Sequence, residues 1–129
     1  MRLLVCGCLA ALSLAATATA AGLDCRTAVR PGACFDVRGV LRPANGSPAL
    51  RIRATNGRTL GVVGGDGDPD TPALPADLRA AMQPPTPGSL LSVRGKFRVC
   101  PLAPERARHM RPVCIAAASD LAALPRTGP

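Results

Sequence analysis

One alternating segment, residues 91–100, constrains the fold of this chain more than any other part of its sequence. It reads L-S-V-R-G-K-F-R-V-C, with apolar residues or glycine at every second position and Ser, Arg, Lys and Arg between them. A strict period of two is typical of a β-strand with one buried face and one solvated face. The segment therefore predicts a strand that is apolar on one side, cationic on the other, and ends at Cys100.

The same alternation predicts four further strands. They cover residues 34–42, 50–54, 59–63 and 113–118, the last with Val113, Ile115 and Ala117 facing inward. Asn-Gly dipeptides at 45–46 and 56–57 predict tight turns between the first three strands. We therefore expect the first three strands to form a meander.

Between the third and fourth strands, the spacing of apolar residues changes to that of a helix. Leu74, Leu78, Ala81 and Met82 recur at helical intervals, with Pro75 suited to a first turn and a proline at position 84 to end the helix. Three strands, a short helix and two strands is the order of an OB-type fold, a small, partly open five-stranded barrel. The sequence therefore predicts an all-β, OB-like barrel with one helix between strands three and four.

Two mid-strand glycines support this prediction. Gly39 and Gly95 lie inside the predicted first and fourth strands, where a small barrel must bend sharply. A plain β-sandwich would need more strands, and an SH3-like barrel would lack the helix at this position.

Several short motifs along the chain resemble those of a family of small exported bacterial proteins of unknown function. The motifs are C-F-D-V-R-G at 34–39, N-G-S-P-A-L-R-I at 45–52, G-R-T-L-G-V at 57–62, G-K-F-R-V-C-P-L at 95–102, H-M at 109–110 and V-C-I at 113–115. The resemblance implies a single exported domain, and it carries no catalytic residue to this chain.

Residues 1–20 predict a cleaved signal peptide. Met1 and Arg2 give a positively charged start, residues 3–14 are apolar, and Ala18-Thr19-Ala20 has the small residues of a cleavage site before Ala21. The apolar run is too short to span a bilayer, although a retained membrane anchor stays an alternative. We expect residues 21–129 to form one domain that is periplasmic or secreted.

Four cysteines follow the predicted signal peptide: Cys25, Cys34, Cys100 and Cys114. In an exported chain they predict two disulfides. Proximity in the sequence predicts the pairs Cys25–Cys34 and Cys100–Cys114. A zinc site is the rival interpretation, but the chain has no C-x-x-C pair and a single histidine.

The chain is basic, with 16 Lys and Arg against 8 Asp and Glu and a net charge of +8. Alternation places cations on the outer face of strands one, two and four. The predicted partner-binding residues are Arg38, Arg51, Arg53, Arg94, Lys96 and Arg98, with Arg42 on the same side. The partner that fits such a surface is an acidic protein, a lipid headgroup or a polysaccharide. The alternative is a solvated surface whose arginines reflect the nucleotide composition of the source genome.

The aromatic content argues against specific nucleic-acid binding. Barrels of this type bind single strands by stacking bases on exposed aromatic rings. Phe35 and Phe97 are the only aromatic residues of the chain, and alternation predicts that both point inward.

An acidic loop offers an alternative function, that of a calcium-stabilised envelope module. Asp66, Asp68, Asp70 and Asp77 match positions one, three, five and twelve of an EF-hand loop. Thr71, however, stands where that loop requires glycine, so a solvated turn is the competing interpretation.

The sequence gives little support for catalysis: a glycosidase-like pair of carboxylates stays an alternative, but no pattern singles out two of the acids. His109 and Met110 could be a soft-metal pair for copper, but two adjacent ligands lack a third. The chain contains no nucleophile elbow, no P-loop and no dinucleotide-binding motif. We therefore predict a binding or structural domain that is not an enzyme and uses no cofactor.

Overall fold

The computed structural model describes residues 24–70 and 72–125. The predicted signal peptide and its cleavage site lie outside the described residues. The elements are β1 (Phe35–Pro43), β2 (Leu50–Ala54), β3 (Thr59–Val62), α1 (Ala76–Met82), β4 (Val93–Pro101) and β5 (Arg111–Ala123). None of the helices in the described part of the chain has the length and apolar character needed to cross a membrane.

The five strands form a closed barrel in the order β1-β2-β3-β5-β4. β3 and β5 are parallel, and the other pairs are antiparallel. The barrel closes because β1 pairs on both of its edges, through residues 35–41 with β4 and through residues 39–43 with β2. The predicted five-stranded, OB-like barrel with a short helix between strands three and four is confirmed.

The core is built from the inward faces of the strands and one face of α1. The largest fully buried side chains include Leu41, Ile52, Phe97, Leu78 and Met82. Leu78 and Met82 are one helical turn apart, so both enter the same core, and the helix ends before the prolines at 84 and 85. The described residues bury no polar or charged residue, as expected of a small apolar core.

Gly39 lies in the short part of β1 that pairs with both β2 and β4. It lies opposite Ala54 of β2 and opposite Gly95 of β4. A Cβ on Gly39 would lie 2.3 Å from the carbonyl oxygen of Arg53, which is a backbone atom that cannot move aside. A Cβ on Gly95 would meet Leu121 Cδ2 at 2.7 Å, which is the end of a side chain, and Ser119 O at 3.1 Å.

This difference predicts unequal effects of two identical substitutions. Gly39→Ala should lower the free energy of unfolding by about 3 kcal/mol, because the strands must separate to admit a methyl group. Gly95→Ala should cost about 1 kcal/mol, because Leu121 can rotate. Urea denaturation of both variants measures the difference, and equal losses would contradict the close approach at Gly39.

The disulfides differ from the predicted ones. The structure links Cys25 to Cys114 and Cys34 to Cys100, so the predicted pairs Cys25–Cys34 and Cys100–Cys114 are wrong. Strand register explains one of the two links: Phe35 lies opposite Val99, which places Cys34 beside Cys100 with their Cα atoms 4.1 Å apart. Cys114 also lies opposite Cys100, on the other edge of β4, but it is linked to Cys25, which precedes β1. Two disulfides indicate an oxidising environment outside the cytoplasm.

The bulged register of β5 is the second departure from the prediction. Val113 and Ile115 are buried as expected, but Ala117 is exposed and Ala118 packs on the core instead. Arg98 pairs with Ala117 while Val99 pairs with Ile115, so one extra residue of β5 is accommodated as a β-bulge. The bulge reverses the faces of the residues that follow it. A second register shift, between the positions opposite Arg94 and Lys96, reverses them again before β5 ends at Ala123.

The observed pairing predicts a larger stabilisation than short-range links would give. The linked cysteines are 89 and 66 residues apart, and the chain-entropy model assigns about 4 kcal/mol to a single loop of that size. The loops overlap, so the second link should add less than the first. Cys34→Ser/Cys100→Ser should lower the free energy of unfolding by about 2–5 kcal/mol, as measured by urea denaturation.

Peptide mapping without reduction tests the pairing itself. We expect one linked peptide pair that joins Cys25 to Cys114 and another that joins Cys34 to Cys100. A peptide that joins Cys25 to Cys34 would overturn the assignment.

Candidate functional site

The barrel brings the predicted partner-binding residues together on one surface, here called the cationic face. It consists of Arg38 and Arg42 from β1, Arg51 and Arg53 from β2, and Arg94, Lys96 and Arg98 from β4. These strands are adjacent, with β1 in the middle, and the seven residues alternate with buried ones. Their exposed or half-buried side chains therefore share the outside of one continuous piece of sheet.

The register places like charges directly opposite each other on this face. Arg42 lies opposite Arg51 in the β1–β2 pair, and Arg38 lies opposite Lys96 in the β1–β4 pair. Like charges at directly opposed positions destabilise a sheet. The face therefore retains an electrostatic cost that neutral or acidic residues at either position would remove.

One end of the face is neutralised by acids of the chain itself. Asp36 accepts a hydrogen bond from Arg98 at 3.3 Å and lies 3.8 Å from the Lys96 Nζ, while Arg38 lies 3.7 Å from Asp120. All of these side chains are substantially exposed, so each pair contributes little to stability. We call Arg38, Lys96 and Arg98 the paired half.

The other end of the face has no such neutralisation. The side chains of Arg42, Arg53 and Arg94 make no hydrogen bond or ion pair with any described residue. They surround Val40, which lies opposite Arg53 on one side and opposite Arg94 on the other. We call these three arginines the open half.

Arg51 borders the open half and is held in place by the loop between β1 and β2. Its Nε donates to the carbonyl oxygen of Pro48 at 3.2 Å, and its Nη2 donates to that of Asn45 at 3.0 Å. Carbonyl oxygens carry no net charge, so these two hydrogen bonds hold the Arg51 side chain against the loop without pairing it with an acidic group.

The outer face of β3 is covered by two loops. In OB barrels, ligands bind on the β2–β3 face between the β1–β2 and β4–β5 loops. Here a Cβ on Gly61 would lie 2.7 Å from Pro48 Cγ and 3.5 Å from Met110 Cγ, so both loops lie against β3 at Gly61. The exposed part of the predicted ligand surface therefore lies on β1 and β2 and extends onto β4.

The two aromatic residues differ in their surroundings. Phe97 is fully buried, as predicted, whereas Phe35 is only partly buried and packs at the margin of the core. The Arg111 guanidinium lies over the Phe35 ring, 6.0 Å from its centroid, and the Arg111 Nε donates to the carbonyl oxygen of Ala103. The ring therefore already has a cation on its face.

The acidic loop uses its carboxylates to hold its own backbone. Asp66 accepts the N–H of Asp68 at 3.0 Å, and Asp68 accepts the N–H of Asp70 at 2.9 Å, as in successive Asx turns. Within residues 24–70 and 72–125, the one set of three potential ligands whose atoms lie within 4.8 Å is Cys25, Cys100 and Cys114, and these are disulfide-bonded. The carboxylates do not converge to that distance.

His109 and Met110, the adjacent residues considered above as copper ligands, contact different partners. The His109 Nδ1 lies 2.9 Å from the carbonyl oxygen of Ala107, while Met110 packs at Gly61. The two side chains are thus engaged separately by their own loop and by β3.

Comparison with protein-family models, curated proteins and solved structures found no match to this chain. The resemblance to small exported bacterial proteins stays a prediction.

The calcium hypothesis for Asp66, Asp68 and Asp70 stays a prediction that a thermal titration checks. If the loop binds calcium, millimolar Ca²⁺ should raise the melting temperature, because a ligand bound only by the folded chain stabilises it. Asp66→Asn/Asp70→Asn should abolish the rise, and magnesium serves as the control ion. An unchanged melting temperature would contradict the hypothesis.

Proposed function

We propose that this protein is an exported, non-enzymatic domain, periplasmic or secreted, that binds an acidic partner through its cationic face. The support comes from the surface of the barrel. Seven cationic side chains lie on three adjacent strands, and within β1, β2 and β4 only Asp36 is acidic. The two disulfides fit a domain that works outside the cytoplasm.

The opposed like charges are the observation that carries the proposal. Arg42 against Arg51 disfavours the folded sheet in the absence of a counter-charge, whereas Arg38 and Lys96 are already paired with Asp120 and Asp36. An acidic partner would supply that counter-charge, and the relief of the repulsion would make the free energy of binding more favourable. A purely compositional surplus of arginine would not need to concentrate at facing positions of neighbouring strands.

The aromatic residues bear on the class of partner. Phe97 is buried and the Phe35 ring carries Arg111 on its face, so neither offers a free platform for a nucleotide base. The proposal therefore favours an acidic protein, a lipid headgroup or a polysaccharide over specific recognition of a nucleic acid.

The test removes four charges from the face and the same number elsewhere. Arg51→Ser/Arg53→Ser/Arg94→Ser/Arg98→Ser removes charge from the cationic face. Arg26→Ser/Arg79→Ser/Arg106→Ser/Arg108→Ser removes equal charge from exposed positions outside it. The probes are immobilised polyglutamate, a sulfated polysaccharide and anionic phospholipid vesicles, each measured over a range of salt concentrations.

We expect the face variant to lose at least about tenfold in affinity for the polyanion that binds best. The control variant should lose about threefold or less, because distant exposed charges are screened. Affinity of the unaltered protein should fall steeply with salt. Equal losses in both variants would show that only net charge matters and would overturn the proposal, as would unchanged binding by the face variant.

A further inference from the structure

Three arginines from three different strands occupy the positions next to one small apolar residue. Neighbouring strands are about 4.8 Å apart, so the Cα atoms of Arg53 and Arg94, on either side of Val40, are separated by about 10 Å. Arg42 is two residues along β1 from Val40 on the same face, at a distance of about 7 Å. Arginine side chains are long enough for three guanidinium groups on these positions to meet above Val40.

We propose that the open half, Arg42, Arg53 and Arg94, is a binding site for a phosphate group of the partner. This inference rests on the proposed function, since it names the chemical group that the cationic face recognises. A phosphate monoester carries a charge of about −1.5 to −2 and three terminal acceptor oxygens. Its oxygens point in different directions, so one group accepts from guanidinium donors that arrive from three strands.

A carboxylate fits this arrangement less well. It is planar, carries a single charge and is satisfied by one guanidinium in a two-point contact. The paired half shows how carboxylates act on this barrel: Asp36 accepts from Arg98 at 3.3 Å and lies near Lys96, and Asp120 lies near Arg38. Three unneutralised guanidinium groups around one position instead match an anion of higher charge.

The surroundings of the open half support a defined site. Val40 is half-buried and has no polar side-chain atom, so it offers no acceptor that would occupy the neighbouring guanidinium groups. Arg51, opposite Arg42, is already fixed by the carbonyl oxygens of Asn45 and Pro48 and supplies a neighbouring positive charge. Less side-chain entropy is lost when a cation is held in place before the ligand arrives.

Two variants with equal charge loss test the site. Arg42→Ser/Arg53→Ser/Arg94→Ser removes the three positive charges of the open half. Arg38→Ser/Lys96→Ser/Arg98→Ser removes the three positive charges of the paired half. Binding of inorganic phosphate, sulfate and acetate to each protein is followed by NMR titration at constant ionic strength. Phosphatidylcholine vesicles that contain phosphatidic acid provide a second probe, in which the phosphate is a lipid headgroup.

We expect phosphate and sulfate, which share the tetrahedral shape, to shift the backbone amide signals around Val40, and acetate to shift them far less. The open-half variant should lose about tenfold or more in phosphate affinity, and the paired-half variant about threefold or less. Much tighter binding to the vesicles than to free phosphate would identify a lipid headgroup as the source. Binding to free phosphate without enrichment on vesicles would identify a soluble phosphorylated ligand.

The outcomes separate this inference from the proposed function. Equal losses of polyanion binding in the two variants, or equal binding of acetate and phosphate, would overturn the phosphate site and leave binding through the cationic face standing. Unchanged binding of every polyanion by both variants would overturn the two together.

Discussion

The double pairing of β1 is the constraint on which the rest of this barrel depends. One strand hydrogen-bonds to β4 along its first seven residues and to β2 along its last five, and both ladders include Gly39. The backbone of β2 approaches Gly39 so closely that no side chain fits there. The same pairing closes the barrel, sets Cys34 beside Cys100, and gives β1 a cationic strand on each side.

Register also decides which cations of the surface are neutralised. Asp36 lies opposite Arg98, so its carboxylate serves that end of the face, whereas Val40 lies between Arg53 and Arg94 and offers them no acceptor. Asp120 reaches Arg38 from the bulged part of β5, where it adopts a positive φ of 53°. A surface that looks uniformly basic in the sequence is thus divided by pairing into a neutralised end and an unneutralised end.

The local pattern of the sequence predicted the elements, whereas the long-range register did not follow from it. A period of two identifies a strand and its inward face, which is why the five strands, the helix and the cations of the outer face could be predicted. The disulfide pairing depends on contacts between residues that are far apart in the sequence, so proximity in the sequence was a wrong guide for all four cysteines. The bulge that exposes Ala117 is visible only in the pairing of β5 with β4, and the period-two pattern within residues 113–118 does not indicate it. The division of the cationic face also depends on long-range register. It could not be predicted without the pairing that places Arg53 and Arg94 on either side of Val40.

The covering of β3 explains why the candidate site lies on β1. The β2–β3 surface that an OB barrel ordinarily uses requires its two flanking loops to stand apart. Here Pro48 and Met110 both pack at Gly61, a position where any side chain would displace Pro48. The β1–β2 loop, one of the two that cover β3, also holds Arg51 through two carbonyl oxygens, next to Arg42. That loop therefore helps to cover the ordinary ligand surface and fixes a cation at the border of the open half. The exposed positive charge lies instead on β1 and the two strands beside it.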